Sequence, residues 1–212
     1  MARSKSSKRW LKEHFDDPFV KRAQAEGARS RAAYKLEELL ERDHILKPGM
    51  VVVDLGAAPG GWSQVVARAM EGRGRVIALD VLPMSGIAGV DVIEADFRDQ
   101  AALERLDAAL GGARVDLVLS DLAPNMTGVS SVDQARAMDL AELARDFAQQ
   151  HLKPGGAFLV KLFQGAGFDS FLKDLRARYA KIAMRKPKAS RARSPEVYAL
   201  GTGFKGKPSP EP

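Results

Sequence analysis

Short β-branched apolar runs alternate with stretches of helical periodicity along nearly the whole chain, and that alternation restricts the fold more than any other feature. Val51-Val52-Val53-Asp54-Leu55, Arg75–Asp80, Asp91–Ala95, Val115–Ser120 and Gly156–Phe163 read as buried strands, with Lys181–Arg185 and Val197–Gly201 as two later ones. Between them, helices are expected over Ser30–Glu41 (capped by Ser30), from Gly61 to about Met70, and over Ala101–Leu110, Asp133–Leu152 and Phe168–Tyr179. Strands alternating with helices imply an α/β fold with a mostly parallel, doubly wound sheet covered on both faces. Such sheets bind ligands at the carboxyl ends of their strands, where the strand order reverses.

The strand ends are where the polar residues stand. The first strand runs into Asp54-Leu55-Gly56-Ala57-Ala58-Pro59-Gly60-Gly61-Trp62-Ser63. Glycines in a strand-to-helix turn let backbone approach a ligand closely. This run is neither G-x-G-x-x-G nor a phosphate-binding loop ending in Gly-Lys-Ser/Thr. An acid just before the glycines would repel a pyrophosphate and suits a cationic or hydroxyl-bearing ligand. Asp80 ends the second strand and can accept from ribose hydroxyls. Asp96 ends the third, placed to reach an adenine edge. Together these acids and the glycine loop describe a nucleoside pocket. Asp121 ends the fourth strand, and Lys161 sits inside the apolar run Phe158–Phe163. A lysine in a buried strand is costly unless paired or deprotonated, which marks it as functional.

Charge points to the partner. Residues 1–12 hold five basic residues and no acid, and residues 181–193 hold six and no acid. With a net charge of +6, the remaining body is slightly acidic, so the positive charge is concentrated in two segments suited to a polyanion such as RNA. There is no cysteine, which excludes disulfides and thiolate chemistry. His14, His44 and His151 are too scattered for a zinc site, and no metal is expected. No apolar run is long enough to span a membrane, and the start of the chain lacks the apolar core of a secretory signal, so a cytoplasmic location and no membrane partner are expected.

Five motifs in order then resemble the FtsJ/RrmJ ribose methyltransferases. They are Ser30–Leu36, Asp54–Trp62, Asp121-Leu122-Ala123-Pro124-Asn125, Val160–Gly165 and Ser190–Tyr198, within a likeness running from about Arg29 to Phe204. One departure is visible: Leu122 takes a position often held by Met, a volume-conserving exchange. The resemblance implies a Rossmann-like S-adenosylmethionine-dependent methyltransferase fold with a seven-stranded sheet. The basic arm and lead-in would cover residues 1–28, the methyltransferase domain 29–204 and a flexible tail 205–212. It implies a catalytic tetrad of Lys35, Asp121, Lys161 and Glu196, and cofactor contacts at Gly60, Trp62, Asp80, Asp96 and Asp121. The implied reaction is transfer of a methyl group from S-adenosylmethionine to a ribose 2′-hydroxyl. Lys161 would take the proton, its basicity tuned by Lys35, since like charges disfavour a second ammonium. Compact bacterial members of the family act on a uridine in the A-loop of the peptidyl-transferase centre, within the assembled large ribosomal subunit. The resemblance thus implies large-subunit ribosomal RNA as partner, 23S rRNA (uridine-2′-O-)-methyltransferase activity and a monomer. A methyltransferase acting on tRNA, or a non-catalytic RNA-binding assembly factor, remains an alternative. A nucleotide-dependent oxidoreductase is disfavoured by the absent G-x-G-x-x-G.

Overall fold

The computed structural model describes residues 17–191 and 194–206. Within them, seven strands form one sheet: β1 (Val51–Leu55), β2 (Arg75–Asp80), β3 (Val90–Glu94), β4 (Val115–Ser120), β5 (Leu152–Phe163), β6 (Tyr179–Arg185) and β7 (Glu196–Phe204), in the order β3-β2-β1-β4-β5-β7-β6. The pairs from β3 to β5 are parallel, and β7 runs antiparallel to both β5 and β6. The strand order reverses between β1 and β4, which puts a ligand-binding crevice outside their carboxyl ends.

Six helices accompany the sheet among the described residues: α1 (Pro18–Glu26), α2 (Ala33–Asp43), α3 (Gly61–Met70), α4 (Gln100–Leu110), α5 (Ser130–His151) and α6 (Phe168–Arg178). Alternation along the strands sorts the core into two layers. Val52, Val76, Leu117, Leu119, Leu159 and Leu200 pack against α2 and α3, whose Leu36, Leu39, Val65 and Val66 are buried. Val53, Leu55, Val118, Val160 and Leu162 face the other way, against Leu106 of α4, Phe147 of α5 and Phe171 of α6. Each large apolar side chain taken from water this way contributes about 1.5–3 kcal/mol, which is what holds helices this short in place.

Besides shifts of one to three residues at element ends, such as those of β3, α4, α5, α6 and β6, the elements differ from the sequence reading in three ways. Residues 17–27 hold α1, which the sequence reading does not contain: the Asp17 carboxylate accepts from Phe19 N at 2.9 Å, and Pro18 opens the helix. Ala23 of α1 packs with Tyr34 and Ala189, so the lead-in is part of the folded body from residue 17. Second, α2 begins at Ala33, and Ser30 caps nothing; its buried hydroxyl has no hydrogen-bond partner. Third, β5 extends back to Leu152 and β7 forward to Phe204, because each continues a ladder with a neighbouring strand. The basic arm 1–12, Arg193 and most of the tail lie outside the described residues.

Candidate active site

Period-two alternation carries the α2/α3 face of the sheet directly into a polar cluster. Leu117 and Leu119 of β4 lead on to Asp121, and Ala157 and Leu159 of β5 lead on to Lys161. In β7, Tyr198 pairs with Lys161 and Glu196 with Phe163, so Glu196, Tyr198 and Lys161 share that face. Helix α2 lies above it and supplies Lys35. All four residues of the expected tetrad are therefore brought together.

Their contacts form one chain. Lys35 Nζ donates to Glu196 Oε1 at 2.7 Å and to the Tyr198 hydroxyl at 3.1 Å. The Tyr198 hydroxyl donates to Asp121 Oδ1 at 2.8 Å. Lys161 Nζ donates to the Asp121 carbonyl at 2.7 Å and stands 3.1 Å from Asp121 Oδ1. Lys35 and Lys161 are both buried, and each has its own carboxylate. That pairing answers the desolvation cost that made a strand lysine conspicuous. Burial alone would raise the Glu196 carboxyl, but the charge and hydrogen bond of Lys35, with the charge of Lys161, hold it below its ordinary value. Tyr198, which sequence reasoning missed, is fully buried, and burial with the Asp121 and Glu196 charges pushes its hydroxyl far up, so it stays a proton donor. The available signal was its spacing two residues after Glu196 on a strand.

Beside this cluster lie the strand-end acids. Asp54 is fully buried; its Oδ2 accepts from Ser63 Oγ at 2.6 Å, while Oδ1 has no partner. Asp80 accepts from Ala58 N at 2.9 Å and from Leu82 N at 2.8 Å, so it ties together the loops after β1 and β2. Asp96 is held by Arg98, whose side chain and backbone N–H both donate to it, lowering its carboxyl to about 2. Gly56 and Gly60 have φ of +79° and +103°. A Cβ at Gly56 would lie 2.8 Å from Leu122 N, so the loops after β1 and β4 meet backbone to backbone at the switch point.

Trp62, expected at the cofactor, lies in the first turn of α3 just after Gly60 and Gly61, with its ring buried against the cluster. Its indole N–H donates to the Ala32 carbonyl at 2.8 Å and its ring lies 5.7 Å from that of Tyr198. It braces α2 and β7, the elements that present Lys35 and Glu196. A cavity of about 450 Å³ opens next to the cluster, lined by Arg31, Ala32, Lys35, Arg191, Ser194 and Glu196. Among the described residues, no group of three or more His, Asp or Glu side chains is arranged to hold a metal ion, and no helix is long and apolar enough to cross a membrane.

Comparison with known proteins agrees with this geometry. The FtsJ-like methyltransferase family model matches residues 28–204. The Ribosomal RNA large subunit methyltransferase E of Stenotrophomonas maltophilia is 69% identical over 201 residues, spanning 95% of this chain and 96% of that protein. Its namesake from Xanthomonas euvesicatoria is 67% identical over 202 residues, with the same shares. A crystal structure from Plasmodium falciparum, described as a ribosomal RNA methyltransferase, superposes with a TM-score of 0.76 at 27% identity, covering 84% of this chain and all of that one. With its fold, its paired lysines and carboxylates and these likenesses in agreement, the chain belongs to the FtsJ-like methyltransferase family.

Proposed function

We propose that this methyltransferase methylates the 2′-hydroxyl of a uridine ribose in large-subunit ribosomal RNA, in the A-loop of the peptidyl-transferase centre within the assembled subunit. The observation that carries the reading is the hydrogen-bonded cluster Lys35–Glu196, Tyr198, Asp121–Lys161 beside a glycine loop ringed by strand-end acids. The names and extent of the likeness of the relatives support ribosomal RNA as the substrate.

The residues fit S-adenosylmethionine. Asp54 offers an unpartnered buried carboxyl oxygen for a hydrogen bond, and Asp80 and Asp121 at neighbouring strand ends suit a ligand that carries positive charge and hydroxyls. Gly60, at φ +103°, lets the loop turn sharply into α3 beside these acids. The cofactor supplies a methyl group already activated as a sulfonium. Asp80 would hold ribose hydroxyls, Asp96 and its neighbours the adenine, and Asp121 would face both cofactor and substrate. Gly60 and Trp62, where the glycine loop enters α3, would contact the cofactor, and the buried Trp62 ring fixes α2 against β7.

The chain's own work is alignment and proton removal. Lys161 takes the proton from the attacking hydroxyl, and Lys35, Asp121 and Glu196 orient the ribose and the lysine. Exposed Lys181, Lys186 and Lys188, with Arg191 at the cavity wall, face a phosphate-rich partner. No metal takes part in this scheme, and the enzyme works as a cytoplasmic monomer.

The decisive measurement is transfer of tritiated methyl to large subunits, free large-subunit RNA and tRNA from cells lacking this protein. Label should appear in the subunits as 2′-O-methyluridine. Lys161→Ala should lower it by about 10³-fold or more while cofactor binding persists. Label confined to tRNA would overturn the ribosomal assignment, and full activity of Lys161→Ala would remove Lys161 as the base.

A further inference from the structure

Arg29 stands in the link between α1 and α2, outside the cluster described above. Its guanidinium lies across the glycine loop. Nη1 donates to the Pro59 carbonyl at 3.2 Å, to the Ser85 carbonyl at 2.6 Å and to the Ser85 hydroxyl at 3.0 Å, and Nη2 donates to the Gly86 carbonyl at 2.6 Å. The backbone N–H of Arg29 is itself anchored on Gln64 Oε1 of α3 at 3.1 Å, and Gln64 Nε2 donates to the Gly27 carbonyl at 3.2 Å. One side chain thus ties the loop after β1 to the loop after β2 from a base fixed on α3.

The loop after β2 needs such a tie. Residues 81–83, 85–86 and 88–89 are exposed, and only Met84 and Ile87 turn inward. Those two close on Gly60: a Cβ placed there would lie 2.7 Å from Ile87 Cδ1, 2.9 Å from Met84 Sδ and 3.0 Å from Arg29 Cδ. All four acceptors of the guanidinium are neutral oxygens, so its planar fork acts here as a spacer of defined shape rather than as half of an ion pair.

We propose that Arg29 is a positioning residue for the cofactor, holding the 81–89 loop over Gly60 and so setting the width of the nucleoside end of the cleft. This rests on the reading of that cleft as the S-adenosylmethionine site. The competing role for an arginine here is a contact to RNA phosphate, which would leave cofactor affinity untouched.

The test is calorimetry of the full chain with S-adenosylhomocysteine, joined to steady-state kinetics, thermal melting and RNA filter binding, for wild type, Arg29→Ala, Arg29→Lys and, as a distant control, Arg73→Ala. Arg29→Ala should weaken cofactor binding about tenfold, as expected for losing several hydrogen bonds to exposed loops, chiefly through faster dissociation. The KM for S-adenosylmethionine should rise by a similar factor, with kcat at saturation within about twofold and an unshifted melting midpoint. Arg29→Lys should recover part of the affinity, since one ammonium cannot serve both loops. Unchanged cofactor affinity in Arg29→Ala, or a loss matched by a lowered melting midpoint, would overturn the inference. If the wild-type chain bound no cofactor, the reading of the cleft would fail and this inference with it. Wild-type binding with an unaltered Arg29→Ala would sink this inference alone.

Discussion

Tyr198 is the hydroxyl through which the two lysine–carboxylate pairs touch, accepting from Lys35 and donating to Asp121. Tyr198→Phe keeps the ring against Trp62 and leaves both ion pairs in place. It should therefore lower kcat by about tenfold through misalignment while cofactor affinity, read by calorimetry, stays within about twofold. Asp54 behaves differently because it is fully buried and its one side-chain partner is the neutral Ser63 hydroxyl. Burial pushes its carboxyl up to about 7, with the Ser63 hydrogen bond resisting and the Asp121 and Asp80 charges adding to the rise. An acid whose folded pKa lies above its ordinary 3.8 keeps a proton that the unfolded chain has lost. Its contribution to stability is complete below that ordinary value and falls as pH rises towards about 7. Asp54→Asn cannot ionise. Measured without cofactor, the wild type should lose stability relative to this variant on going from about pH 5 to about pH 8, by on the order of a few kcal/mol. A constant difference across that range would mean that Asp54 holds no such proton.

At the scale of elements, what could be read from the chain depended on the range of the forces involved. β1, β2 and β4 follow from their own apolar, β-branched runs, and their observed limits match those expected from sequence. The strands that grew, β5 and β7, did so through partners: Leu152 pairs with Val115, and Thr202 with Ala157 and Lys181. Helix α1 had local signals in Asp17, Pro18 and Gly27, yet its place was set by Tyr34 and Ala189, the latter more than 150 residues away. Ser30 shows the reverse error. Its residue type fits a cap, but the chain turns again at Arg31 and Ala32 before α2 begins, and the hydroxyl is left against Gly61. Asp133 is a further residue that spacing did not single out; it accepts from Thr127 N, Thr127 Oγ1 and Gly128 N, fixing the loop that follows Asn125.

Over the whole molecule, charge is separated from the core, and that separation governs association. The net charge of +6 includes the basic residues of the 181–191 stretch, of which Lys186 and Lys188 are exposed, Lys186 donating to the carbonyl of Ser194 at the cavity wall. Binding to large subunits should weaken steeply with salt. Replacing Lys186 and Lys188 together by Ala should reduce the slope of log affinity against log salt by about 1.4–1.8, without loss of cofactor binding. An unchanged slope would place the RNA elsewhere. The sequence by itself determined the fold class, the strand-end positions of Asp54, Asp80, Asp96, Asp121 and Lys161, and the basic segments. All of these rest on patterns within a few residues: period two, period 3.6 and local composition. Only the tertiary structure decided that Tyr198 joins the two ion pairs, that the Trp62 ring packs between Ala32 and Tyr198, and that Arg29 spans two loops. Those contacts join residues 30 to 163 positions apart, and they depend on the order and direction in which strands pair, which no local pattern contains.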